Sequence, residues 1–145
     1  MPHITLLYPF RPREEFATVA GRFSVPCAQI EPLRMQLREF RVFHQGQESY
    51  TLWLAPEPED AIIGLQATLE SVVPDCSDVR RYPSGFTPHL TVGQVRGHAI
   101  MARVRTALQA SWQAVAFTVG EISLIWRGEP PDDVFRTIQT VKIGK

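Results

Sequence analysis

Lysine is nearly missing from this chain: Lys142 and Lys145 are its only two, so the basic side is almost all arginine. The 15 basic residues are balanced by 15 acidic ones, and net charge is zero. A non-specific duplex binder needs a broad basic surface to displace counterions from phosphates, so duplex DNA is not an expected partner. Balanced charge is still compatible with a pocket in which a few cations grip one or two phosphates. Arginine suits planar, bidentate contacts, and a genomic bias in composition produces the same pattern. Cysteine is scarce too. Cys27 and Cys76 are too few and too isolated for a disulfide framework or a metal knuckle. No apolar run approaches the roughly 20 residues that span a bilayer, and no basic start leads into an apolar export core. The expected setting is therefore the cytoplasm, with no membrane partner. Walker A and dinucleotide glycine patterns are absent, as is Gly-x-Ser-x-Gly, so no nucleotide cofactor is expected. With 145 residues, 44% hydrophobic and 21% charged, the chain suits one compact domain or two small, closely packed lobes.

What is present is a short string that occurs twice. Pro2-His3-Ile4-Thr5-Leu6 returns as Pro88-His89-Leu90-Thr91-Val92. Each copy sits in a run rich in β-branched or aromatic residues and reads as a strand, over 2–8 and 87–95. Alternation along a strand puts His3 and Thr5 on one face, and His89 and Thr91 likewise. Ile4, Leu6, Leu90 and Val92 then point the other way, into a core.

The rest of the chain frames these strands. Phe16, Val19, Ala20 and Phe23 recur at helical spacing after Pro12, predicting a short helix that closes at Gly21 or shortly after, before Pro26. Leu33, Met35 and Leu37 alternate with polar residues, and Phe40 and Val42 continue one step out of phase. That predicts a strand with a bulge near Glu39, paired as a hairpin with 50–54 across a turn at 44–48. Ile62, Leu65, Leu69 and Val72 form the stripe of a helix from Pro56 to about Val73. A polar loop follows from Pro74 to Gly85. Gly97 opens another helix with Ile100, Val104, Ala107 and Leu108 on its apolar side, ending near Trp112. Strands are expected at 115–119, 122–126 and 134–143. Two helix-plus-hairpin units, each headed by a Pro-His-x-Thr strand, read as an internal duplication. The expected class is α+β with mainly antiparallel sheets.

Two imidazoles facing a common groove can hold complementary protonation states near neutrality. One takes a proton from an attacking water or hydroxyl while the other gives one to the leaving oxygen. Threonine hydroxyls beside them are uncharged donors suited to non-bridging phosphoryl oxygens. The set is coherent for phosphodiester chemistry without a metal. A zinc site wants a further protein ligand with its own spacing, and nothing places His44 or His98 beside either motif. One His-x-Thr alone is more often a surface or interface feature. Two copies, each after a proline and among apolar residues, favour a paired site.

On those residues the chain resembles the 2H phosphoesterase superfamily, which is defined by two His-x-Ser/Thr motifs, and within it the bacterial 2'-5' RNA ligase and RNA 2',3'-cyclic phosphodiesterase group. The strings PHITLLYPF and TPHLTVGQV carry the likeness. It implies a single two-lobed domain over 1–145, with two pseudo-symmetric sheets, helices packed outside and both motifs lining a central groove. It implies a hydrolase of 2',3'-cyclic phosphates, on RNA ends or small cyclic nucleotides, with 2'-5' ligation as a related activity. By the same resemblance His89 activates water, His3 protonates the leaving 3' oxygen, and Thr5 and Thr91 bind the phosphate, with no metal. Relatives generally carry a strand and a helix before the first motif. This chain starts at the motif, so the expectation is a first lobe shortened at its beginning, a translation start placed late, or a gap filled by another segment or by a homo-oligomeric partner.

Further candidates for substrate contact are Tyr8, after the first motif, and Tyr50, on the hairpin; an aromatic beside a groove can stack on a base, and packing is the plainer role for each. Arg80 and Arg81 precede the second motif and can neutralise phosphate, or simply belong to a solvated loop. The alternative to an enzyme is a weak or inactive module that binds RNA ends or nucleotides in the same pocket.

Overall fold

The centre of the molecule is the hairpin of β1 (Leu33–His44) and β2 (Ser49–Glu57), seen in a computed structural model that describes residues 1–145. Its tip turns through Gly46, Gln47 and Glu48, all with positive φ, and only the glycine adopts that conformation at no steric cost. Strand β3 (Leu90–Arg96) pairs with the outer edge of β2, and β4 (Val115–Val119) with that of β1. The sheet order is β3-β2-β1-β4, antiparallel throughout. A second, two-stranded antiparallel sheet joins β5 (Glu121–Trp126) to β6 (Arg136–Lys142).

The bulge expected in β1 is present. Leu37 pairs with Pro56 but Glu39 with Ala55, leaving Arg38 as the extra residue. That phase shift keeps Met35, Leu37 and Phe40 all buried. It also breaks ladder bonds, and the helix α3 (His98–Ser111) supplies replacements. Gln109 accepts from the Phe40 N–H at 2.8 Å and donates to the Arg38 carbonyl at 3.0 Å. Arg105 donates to the Phe40 carbonyl, and Trp112 Nε1 to that of Leu37. A buried backbone group without a partner is costly, so these polar anchors set how α3 lies on the sheet. They override the expected apolar side. Met101 is buried, while Ile100 is 50% and Leu108 36% exposed, and Ala107 is exposed too.

Helix α1 (Phe16–Cys27) runs past Gly21 and through Pro26, further than its sequence suggests. Phe16, Val19, Phe23 and Cys27 are all at most 2% exposed, facing β6 and the helix α2 (Glu59–Val72). Burial of each large apolar side chain contributes about 1.5–3 kcal/mol, which outweighs the ~1 kcal/mol penalty of one glycine. On α2 the stripe is Ile62, Leu65 and Leu69, as expected, beginning after Pro58 rather than at Pro56. The same helix buries Glu70, whose carboxylate accepts from Gln66 Nε2 at 2.6 Å and from Arg80 Nε at 2.7 Å. The Arg80 hydrogen bonds hold the Glu70 carboxyl below its usual range despite burial.

The expected first strand over 2–8 is corrected. That segment makes two isolated bridges, Ile4 with Leu90 antiparallel and Tyr8 with Ser77 parallel. It passes from one neighbour to another within a few residues and so never builds a ladder, and Pro2 and Pro9 have no N–H to donate. The second motif strand begins at Leu90 rather than residue 87, since Pro88 likewise lacks a donor.

Candidate active site

The Ile4–Leu90 bridge determines how the two motifs meet. In an antiparallel pair, residues directly opposite share a face. Carried one residue each way from the Ile4–Leu90 bridge, that register sets His3 toward Thr91 and Thr5 toward His89. All four side chains therefore share one face, with Ile4 and Leu90 on the other.

Neighbouring strands extend this face. Trp53 is opposite Thr91, Arg41 opposite Trp53, and Phe43 opposite Thr51. The His89 ring meets Phe43 edge-on, with centroids 4.9 Å apart at 89°, and Trp53 at 5.9 Å and 66°. Phe43 and Trp53 stack on each other at 4.6 Å. His3 has one aromatic neighbour, Phe135, at 5.4 Å and 67°. Thus His89 is boxed by the central hairpin, and His3 is met by a residue that immediately precedes β6.

Each imidazole makes the same hydrogen bond. His3 Nδ1 lies 2.9 Å from the Met1 carbonyl, and His89 Nδ1 lies 2.8 Å from the Thr87 carbonyl. A carbonyl can only accept, so in both rings Nδ1 carries the proton. In the neutral form Nε2 then holds the free lone pair, and in the charged form Nε2–H is the remaining donor. His3, Thr5 and His89 are half-buried, and Thr91 is exposed.

A second bulge follows the motif in β3. Trp53 pairs with Thr91 but Leu52 with Gly93, so Val92 is the extra residue. This corrects its expected burial: Val92 is 44% exposed, while Leu90, Ile4 and Leu6 are half-buried against the core as expected. Bulges next to sites re-aim side chains, and here the alternation is broken immediately after Thr91.

Of the further candidates, Tyr50 is corrected. It lies three residues from Trp53 on the same strand, hence on the opposite face, where it is 7% exposed, stacks on His44 at 4.7 Å and stands 6.1 Å from His98. Tyr8 is 61% exposed at the end of the first motif, with its carbonyl accepting from the Asp78 N–H at 2.8 Å. Arg80 is engaged by Glu70. Arg81 lies 5.6 Å from the Tyr82 ring and 3.8 Å from Asp78. Ser77 and Asp78 thus touch the far end of the first motif's segment, at Tyr8. No three His, Cys, Asp or Glu side chains gather as a ligand set, and no helix is long and apolar enough to cross a membrane.

Residues that motif reasoning passes over are Phe43, Phe135 and Arg41. Strand alternation from Trp53 across the hairpin register would have located Phe43 and Arg41. Nothing local in the sequence connects Phe135 to His3.

Comparison with known proteins agrees with this architecture. The model of the family described as the 2'-5' RNA ligase superfamily matches residues 1–131. A crystal structure of TT0787 from Thermus thermophilus is similar in fold, with a TM-score of 0.63 at 21% identity, covering 99% of this chain and 79% of that one. No curated protein matches the chain.

Proposed function

We propose that this chain, which belongs to the 2'-5' RNA ligase superfamily, is a phosphodiesterase that opens 2',3'-cyclic phosphates, on RNA ends or small cyclic nucleotides, using His3 and His89 as a general acid–base pair. The matched Nδ1 hydrogen bonds carry the reading, since they leave Nε2 of both rings for substrate. The α+β fold, with antiparallel sheets and helices packed outside them, accommodates the two-lobed arrangement typical of such enzymes. The Ile4–Leu90 register supports the pseudo-symmetry, because a local twofold there carries His3 onto His89 and Thr5 onto Thr91.

In the proposed reaction His89 Nε2 takes a proton from water as the oxygen attacks phosphorus. The bond to the 3' oxygen breaks, and His3 Nε2–H delivers a proton to it, leaving a 2'-phosphate. Thr5 and Thr91 donate to the non-bridging oxygens, where negative charge grows. With a 5'-hydroxyl in place of water, the same steps form a 2'-5' linkage. No step calls on a metal. Acid or base catalysis by a positioned group contributes about 10²–10⁴-fold. His3→Ala and His89→Ala should therefore each lose that much kcat on 2',3'-cyclic nucleotides assayed in EDTA. Wild-type turnover no faster than either variant overturns the reading for those substrates.

A further inference from the structure

Resting on the reading of His3 as a catalytic imidazole, we propose that Phe135, braced by Arg127, is a positioning residue that holds the His3 ring at its working angle. The first motif lacks what holds the second. Its main chain is secured near His3 by one isolated bridge, at Ile4. The His3 Nδ1 bond goes to the carbonyl of Met1, a residue 55% exposed. Neither restrains rotation of the imidazole as two packed aromatics restrain that of His89. The remaining ring contact is Phe135, edge-to-face at 5.4 Å.

Phe135 is itself well placed to act as a fixed wall. It leads directly into β6, whose buried Val141, with Ile143 just beyond, belongs to the main core. The Arg127 guanidinium carbon lies 4.9 Å from its ring centroid. Arg127 donates to Asp133 at 2.6 Å, and Arg136 to Asp132 at 2.8 Å, so the turn before Phe135 is cross-braced at both ends. Exposed ion pairs add little stability singly. Here they restrict the path of the turn and, with it, the ring. The second sheet thereby sets the angle of a histidine that the first sheet does not enclose. Small misplacements of a reacting group cost on the order of 10²-fold in rate.

The test compares Phe135→Ala, Phe135→Leu and Phe135→Tyr with wild type. Alanine should lower kcat on a 2',3'-cyclic nucleotide by about 10- to 100-fold and change KM little, because the phosphate-binding hydroxyls are untouched. Leucine restores apolar volume without a ring edge and should stay impaired, while tyrosine should recover most activity. Imidazole NMR cross-peaks of each variant report on the rings even without turnover. Phe135→Ala should broaden or split the His3 peak and leave that of His89 in place. An unchanged His3 peak, rescue by leucine equal to that by tyrosine, or a loss confined to KM overturns the inference. An ordered His3 peak that responds to Phe135 in a protein without turnover would instead break the functional reading and leave the positioning role standing.

Discussion

The two copies of Pro-His-x-Thr are alike as strings and unlike as structures. Pro88 is fully buried, and His89 leads into β3, paired with β2 in the main sheet, and stands against the stacked Phe43 and Trp53. Pro2 is exposed, and His3 stands in a segment that bridges its neighbours at two isolated points. Yet each imidazole makes the same Nδ1 bond to the carbonyl two residues back, and each meets a phenylalanine edge. The orientation of the donor atoms thus follows from the local string. Rigidity follows from what is packed around it.

That comparison can be broken most forcefully from the better-held side. Trp53 is 4% exposed and lies against His89, so Trp53→Ala should cost about 3–5 kcal/mol, measured by urea denaturation. Trp53→Phe should keep the fold. Stability near wild type in Trp53→Ala would mean that the central hairpin does not enclose the second motif as described.

The threonines sharpen the comparison next. Removal of one donor to a developing oxyanion costs about 10²–10³ in kcat. Thr91→Ala should show a loss of that order. Thr5→Ala should show a smaller one if its segment is the looser, and equal losses would show that the isolated bridge holds the first motif as well as β3 holds the second. Thr→Ser variants should retain most activity in both positions.

The smallest effect concerns the far end of the first motif. Glu70 pairs with Arg80 in the loop whose Asp78 N–H bonds the Tyr8 carbonyl. Glu70→Gln should lower Tm by roughly 2–4 °C, most of the pair facing solvent through Arg80. The Glu70 carboxyl is held below its ordinary unfolded value, first by the Arg80 hydrogen bonds. Its contribution is therefore fully present above that pH and lost as pH falls through the folded value. The gap in Tm between Glu70→Gln and wild type should close on acidification. A gap that is constant with pH would assign the effect to packing instead.

Much of this was legible in advance. The hairpin, the bulge near Glu39 and the stripe Ile62, Leu65, Leu69 each come from a local period of apolar residues, and each is found. The misjudged helices share one cause, a contact from far along the chain. Pro26 belongs to a helix because α1 is buried against α2 and β6. The face of α3 is turned by polar anchors to a bulge on a distant strand. Tyr50 was a candidate as an aromatic on the hairpin, and strand alternation sends it to the side opposite Trp53, where it stacks on His44.

By itself, then, the sequence determined which groups are candidates for the chemistry and that each histidine shares a face with its threonine, because side-chain identity and a period of two are local properties. Tertiary structure alone decided that Ile4 meets Leu90, and that Phe43, Trp53 and Phe135 stand against the two rings. Those outcomes depend on strand register and on loops closed over long stretches of chain, which no short window of residues encodes.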